Sequence, residues 1–237
     1  MRGHGGNVWK LAAEAGRPVE EMLDFSANVN PLGPPEWLRA VLSRHVGSLA
    51  HYPDPECTEL VKGLAEHLGA APGEIVAGNG ATEILFALPR ALAVRRAVIA
   101  APAYVDYAYA ARLAGVEVEY ERLRECEGFA VDLERLAARL RGGEAVFLGQ
   151  PNNPTGLLVE REALRGLALS RGDTVFVVDE AFADFVEDYE TLVRDRPANV
   201  VVLRSMTKMY AIPGLRLGYA VADRGIADEL RRLLPTW

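Results

Sequence analysis

From about Glu74 onward the chain alternates short apolar runs with amphipathic stretches. The runs are EIVA (74–77), AVIAA (97–101), VEVEY (116–120), AVFLGQ (145–150), TVFVVD (174–179), NVVVLRS (199–205) and LGYAVA (217–222). They are short and rich in Val and Ile, the composition of buried strands. Helical patterns fall between them, near 81–93, 105–114, 132–141, 160–171 and 225–234. Such alternation predicts an α/β domain with a mainly parallel sheet and helices on both faces. LGYAVA follows NVVVLRS after a loop alone, so one strand is expected to pair differently and the sheet to be mixed.

Residues 1–50 follow another pattern. LDFSANVNPLGPP is extended and broken by prolines and glycine, and PPEWLRAVLSRHV predicts a helix that opens on a proline. This part is expected to cross toward a second, smaller lobe. The first residues, MRGHGGN, precede any hydrophobic pattern and read either as an untethered end or as a functional arm.

Composition narrows the function. The 237 residues, half of them hydrophobic, suffice for one substantial core or two modest domains. With 33 acidic against 26 basic residues the formal charge is −7, which argues against nucleic acid or an anionic membrane as the main partner. No apolar run approaches the roughly 20 residues of a membrane span, and the N-terminus lacks the apolar core of a signal peptide; a cytoplasmic protein is expected. Cys57 and Cys126 are expected to be reduced, and His4, His45, His51 and His67 show no metal-ligand spacing, so no metal site is expected.

The candidate chemistry sits where strands end. In SMTKMYAIPGLRLGY (205–219), Lys208 follows an apolar strand and is flanked by Ser205 and Thr207, with Arg216 eight residues on. A lysine partly withdrawn from water loses proton affinity and becomes a nucleophile toward carbonyls. The hydroxyls and the planar guanidinium suit a phosphate. Alone, the lysine reads equally as a surface residue in a turn. Asp179 ends the buried run VVDEAF, where a carboxylate needs a cation or must cap a helix. A protonated pyridine nitrogen is such a cation. In QPNNPTG (150–156) Asn153 can offer an amide to a ring oxygen. In GNGATE (78–83), Gly80, Ala81 and Thr82 join a strand to a helix N-terminus, a seat for phosphate. In APAYVDY (101–107) the ring of Tyr104 can stack on a flat cofactor or belong to the core. All these loops lie at C-terminal strand ends, the edge where open α/β sheets bind ligands.

The order GNGATE, APAYVDY, PNNPTG, VVDEAF, SMTK, PGLRLGY resembles the fold-type I enzymes dependent on pyridoxal 5′-phosphate, the aspartate-aminotransferase superfamily, and within it the histidinol-phosphate aminotransferase branch. The resemblance spans nearly the whole chain. It implies an aspartate-aminotransferase-like fold, with 1–50 as N-terminal arm and crossing segment and 51–237 as the large cofactor-binding domain. It implies that Lys208 bonds covalently to the cofactor, that Asp179 pairs with the pyridine nitrogen and that Asn153 bonds the ring oxygen O3′. Tyr104 would stack on the ring, and Gly80, Ala81, Thr82, Ser205, Thr207 and Arg216 would bind the phosphate. HYPDP resembles the segment whose tyrosine, here Tyr52, reaches the cofactor phosphate of a neighbouring subunit, so a homodimer with shared sites is implied. The family often has a tyrosine three residues after the aspartate. Here that position is Phe182, and losing its hydroxyl is expected to shift the titration of the lysine–cofactor linkage upward.

These motifs leave the reaction open between decarboxylation and transamination. The opening HGGN with FSANVNPLGPP resembles the N-terminus of threonine-phosphate decarboxylases of the cobalamin pathway; histidinol-phosphate aminotransferases more often carry a shorter version. The resemblance implies decarboxylation of L-threonine O-3-phosphate to aminopropanol phosphate, or else amino transfer between a phosphorylated amine and 2-oxoglutarate. A glycine-rich arm bearing His4 and Gly5, together with Asn28 and Asn153, would then contact the phosphorylated substrate. Family members continue into a C-terminal small domain that supplies a carboxylate-clamping arginine. The chain is therefore expected to correspond to part of a longer protein, or to a form that binds cofactor without turnover.

Overall fold

The computed structural model describes residues 5–236. Its centre is one seven-stranded sheet built from β1 (Ile75–Asn79), β2 (Arg96–Ala101), β3 (Glu117–Arg122), β4 (Ala145–Gly149), β5 (Val175–Asp179), β6 (Val200–Ser205) and β7 (Leu217–Val221), in the order β1-β7-β6-β5-β4-β2-β3. The strands from β3 to β6 run parallel, and β7 is antiparallel to both β6 and β1. The mixed sheet expected from the missing helix between NVVVLRS and LGYAVA is present. Helices cover both faces of the sheet, as expected.

The helices are α1 (Val8–Ala15), α2 (Glu36–His45), α3 (Thr58–Leu68), α4 (Ala81–Ala91), α5 (Val105–Leu113), α6 (Leu133–Arg139), α7 (Arg161–Ser170) and α8 (Arg224–Leu233). Strand residues alternate between two cores. Val98, Val146, Leu148, Phe176, Val178 and Val202 join Leu64 and Leu68 of α3, Leu136 of α6 and Leu164 of α7. Ile99, Phe147, Val177, Val201 and Leu203 join Ile84 and Leu88 of α4, Tyr107 and Ala111 of α5 and Leu230 of α8 on the opposite face. Side chains buried to this degree contribute about 1.5–3 kcal/mol each. Acidic residues start several of the helices: Asp132 accepts from the Arg135 amide at 2.9 Å, Glu160 from Ala163 at 2.6 Å and Asp223 from Gly225 at 2.9 Å.

One reading needs correction. VEVEY is not a buried strand: β3 pairs on one side only, with β2, and of its six residues only Glu121 is buried, as at a sheet edge. Its inward carboxylates are held by cations, Glu121 by Arg135 at 2.7 Å and by Arg139, and Glu119 by Arg96 at 2.6 Å. Among the described residues of the N-terminal segment, Asn7 caps α1, its side chain accepting from the Lys10 amide at 3.0 Å, and α1 ends on left-handed Gly16. A helix absent from the sequence reading, α3, precedes β1, with Leu60, Val61, Leu64, Ala65 and Leu68 on one stripe and Gly69 as its cap. The helix over PPEWLRAVLSRHV forms as α2 behind Pro35. Of the residues in α1 and α2 only Ala12 is buried.

Candidate functional site

The reversal of β7 determines where the site lies. Because β7 runs against both β6 and β1, its entry at Leu217 lies beside the exits of β6 and β1, with Ser205 opposite Gly218 and Asn79 opposite Leu217. The loops leaving β1, β2, β4, β5 and β6 therefore meet the loop entering β7 along one sheet edge. A cavity of about 530 Å³ opens there. Its lining includes Gly80, Ala81, Thr82, Tyr104, Asn153, Asp179, Ser205, Thr207, Lys208 and Arg216, together with Gly5 and Asn28 of the N-terminal segment. Two candidates are not in it. Tyr52 stands apart and is 81% exposed, and His4 lies outside the described residues.

Asp179 ends β5, where the register sets it between Gly149 of β4 and Leu203 of β6. The Ala181 amide donates to its Oδ1 at 3.0 Å and the Tyr107 hydroxyl to its Oδ2 at 2.8 Å. Burial pushes the carboxyl above the ordinary aspartate range, and the Tyr107 hydroxyl, the Ala181 amide and the Lys208 ammonium act against that. A second shared cation on this side chain would relieve the desolvation. Lys208 shows the converse: burial, and then the neighbouring Arg216, lower its proton affinity, while Asp179 opposes. It is one of three lysines in the chain, with Lys10 and Lys62, both exposed.

Phosphate chemistry gathers at the start of α4. Its N-cap, Gly80, has φ +82° and no side chain, and a Cβ there would lie 2.6 Å from Arg216 Nη2. A Cβ on Gly218 would lie 2.2 Å from the Ala81 nitrogen. Glycine at both positions lets the guanidinium and β7 close onto the helix terminus. Arg216 itself is in the left-handed region and donates to the Pro213 carbonyl at 3.1 Å. Ser205 and Thr207 are buried and their hydroxyls share a hydrogen bond of 2.8 Å.

Tyr104 is the N-cap of α5 and donates to Asp106 Oδ2 at 2.9 Å; burial raises its phenol pKa. Asn153 sits in a loop held by its neighbours: Gln150 brackets Val159 through two hydrogen bonds, and Asn152 donates to the Pro102 carbonyl at 3.0 Å. Phe182 lines the cavity, so the position three residues after Asp179 faces the site without a hydroxyl.

Sequence reasoning missed two residues. Tyr107, 2% exposed, packs edge-on against Tyr104 with ring centroids 5.6 Å apart and supplies a donor to Asp179. Its signal was its place three residues after Tyr104, on the same face of one helical turn. Asn30 donates from its backbone to the Lys208 carbonyl, a contact that no local pattern announces.

The expected group, pyridoxal 5′-phosphate, fits these residues. A desolvated carboxylate on the cavity floor calls for a cationic ring nitrogen. A lysine of lowered proton affinity opens into the same space. A helix terminus beside Arg216 is left narrow by two glycines. Among the described residues no helix is long and apolar enough to cross a membrane.

A family model described as aminotransferase class I and II matches residues 20–237. The chain is 39% identical over 241 residues to the threonine-phosphate decarboxylase of Salmonella typhimurium, covering 99% of this chain and 66% of that protein. It is 38% identical over 238 residues to the adenosylcobalamin biosynthesis bifunctional protein CobDQ of Leptospira interrogans, covering 99% of this chain and 28% of that one. The crystal structure of the histidinol-phosphate aminotransferase from Clostridium acetobutylicum superposes with a TM-score of 0.82 at 29% identity, over 90% of this chain and 65% of that one. The chain thus spans just under two thirds, or less, of the length of these proteins.

Proposed function

Because the chain belongs to the aminotransferase class I and II family, we propose that it is the cofactor-binding part of a cytoplasmic, homodimeric threonine-phosphate decarboxylase, converting L-threonine O-3-phosphate to aminopropanol phosphate and CO2. The observation that carries the reading is the meeting of Lys208 and Asp179 in one cavity with the α4 terminus and Arg216. Pyridoxal phosphate, when bound, supplies an electron sink for a bond broken at Cα.

The chain's own residues hold and tune that group. Lys208 would hold its aldehyde carbon, Asp179 the ring nitrogen, Asn153 the ring oxygen O3′ and Tyr104 the ring face. Gly80, Ala81, Thr82, Ser205, Thr207 and Arg216 would hold its phosphate. The Tyr107 hydroxyl and the Ala181 amide orient Asp179, one on each oxygen. Lys208, with its proton affinity lowered by burial, exchanges a proton with substrate near neutral pH more readily than an exposed lysine would. Tyr52, exposed and outside the cavity of its own chain, would serve the partner's phosphate.

Decarboxylation and transamination share all of these residues. The choice rests on which bond at Cα the rim contacts hold for cleavage. Gly5, Ser26, Ala27 and Asn28 supply that rim from the N-terminal segment; His4, outside the described residues, is proposed from the resemblance as a further substrate contact. Identities of 39% to a threonine-phosphate decarboxylase and 38% to an adenosylcobalamin biosynthesis bifunctional protein favour decarboxylation. The second reading, amino transfer between a phosphorylated amine and 2-oxoglutarate, draws on the superposition with the aminotransferase. A paired assay separates them: CO2 release from threonine phosphate supports the first, and glutamate-dependent amino transfer without CO2 overturns it in favour of the second.

A further inference from the structure

Asn30 uses every hydrogen-bonding group it has. Its backbone N–H donates to the Lys208 carbonyl at 3.1 Å, and its side-chain Nδ2 donates to the Met209 carbonyl at 2.9 Å, 179 residues away in sequence. Its Oδ1 accepts from the Leu32 amide at 3.0 Å, and its carbonyl accepts from Gly33 at 3.3 Å. The turn toward Leu32 fixes the side chain, so the amide that grips Met209 is held in place by its own loop. The Lys208 carbonyl also accepts from the Ala211 amide at 3.3 Å. The lysine stands in a turn between β6 and a short 3-10 helix (Pro213–Leu215) that leads into β7, and on its preceding side the segment is tied by the Met206 amide to the Leu217 carbonyl at 3.2 Å.

We propose that Asn30 is a positioning residue for Lys208: by clamping the consecutive carbonyls of Lys208 and Met209 it fixes where the lysine side chain leaves the backbone, and it ties the nucleophile loop to the segment that forms the cavity rim. That segment is continuous with Ser26, Ala27 and Asn28, which line the cavity. It also carries the glycine arm, since the Gly6 amide donates to Ser26 Oγ at 2.8 Å and Ser26 Oγ donates to Asp24 at 2.5 Å. A ligand that moves the rim therefore acts on the lysine through one residue. Only an asparagine meets both demands at this length. Aspartate keeps the acceptor for Leu32 and turns the donor into a charge facing the Met209 carbonyl, and glutamine reaches a different place. The inference rests on the reading of Lys208 as the cofactor lysine.

The test compares the wild-type chain with Asn30→Asp, which is isosteric, and Asn30→Ser, which retains an acceptor for the Leu32 amide where the new charge prevents folding. The first readout needs no cofactor. Lys208 is acylated in trace amounts with acetic anhydride across pH, and its labelling is compared by mass spectrometry with Lys10 and Lys62 in the same chain. The charges facing the amine are Asp179 from β5 and Arg216 from its own loop; Asn30→Ser alters neither, and because Asn30→Asp adds a carboxylate nearby, the midpoint of the serine variant decides. The labelling midpoint of Lys208 rises by about one pH unit in both variants, as the loosened loop admits water, while Lys10 and Lys62 hold theirs. Pyridoxal phosphate binding, read by absorbance, weakens roughly tenfold, as one lost donor to the loop predicts. Variants that fold, label Lys208 with the wild-type midpoint and bind the cofactor equally well overturn the assignment. A wild-type chain that takes up no pyridoxal phosphate overturns the cofactor reading instead, and the labelling still decides the role of Asn30.

Discussion

Tyr107→Phe isolates the support under Asp179. The substitution removes one oxygen and leaves the ring, which packs 5.8 Å from Phe147 and edge-on to Tyr104, so no hole opens in the core. What is lost is a donor 2.8 Å from a carboxylate oxygen, an ordinary length for a strong O–H···O contact. Hydrogen bonds to charged groups contribute about 1.5–3 kcal/mol, and those between neutral groups about 1. Burial already holds the Asp179 pKa above its unfolded value. For an acid with a raised folded pKa, stability is lost as pH climbs from the unfolded value, near 3.8, through the folded one. Without the Tyr107 donor the folded pKa rises further, so the loss at neutral pH deepens. Urea unfolding at pH 7 is expected to show the variant about 1.5–3 kcal/mol less stable than wild type. In an Asp179→Asn background, where the acceptor is neutral, the same substitution is expected to cost only about 1 kcal/mol. Equal costs in the two backgrounds would refute the idea that the hydroxyl serves the charge of Asp179.

Other consequences follow from neighbouring contacts. Glu180, buried beside Asp179, receives Arg204 at 3.0 Å, Thr191 at 2.7 Å and the Leu192 amide at 2.9 Å; Glu180→Leu leaves Arg204 to Asp184 alone, at 2.6 Å, strips the Leu192 amide of its acceptor and is expected to destabilise the chain by about 1–3 kcal/mol in urea unfolding. A Cβ on Gly5 would lie 1.7 Å from the Ser26 carbonyl, so Gly5→Ala is expected to lift the arm and raise the KM for the phosphorylated substrate several-fold while the absorbance of bound cofactor stays as in wild type; an unchanged KM would remove the arm from the substrate site. Phe182→Tyr restores a hydroxyl at a position facing the cavity and is expected to move the absorbance titration of the cofactor-loaded chain to lower pH; an unmoved titration would separate that position from the ring oxygen.

The seven strands were legible because burial on both faces selects continuous Val and Ile runs, and each run falls within a residue or two of its strand. β3 kept its place but not its burial, since an edge cannot be told from a centre without knowing its partners. The chemistry-bearing residues could be read as well, because each follows a strand, and parallel topology brings strand ends to one edge. The contribution of Arg216 depended on β7 reversing direction, which the missing helix hinted at. Tyr107 and Asn30 were hidden for different reasons. A tyrosine inside a helix is core by default, and only the burial of its hydroxyl against Asp179 gives it chemistry. Asn30 acts across 179 residues through main-chain carbonyls, which carry no sequence identity.

The central claim is that Lys208 takes pyridoxal phosphate into covalent linkage above Asp179. The most direct test is to mix the purified chain with pyridoxal phosphate, reduce with borohydride and locate the added group by peptide mass spectrometry. The account predicts one modified residue, Lys208, with Lys10 and Lys62 unmodified and the label lost in Lys208→Ala. Labelling at Lys10 or Lys62 in place of Lys208, or label that survives Lys208→Ala, would contradict it.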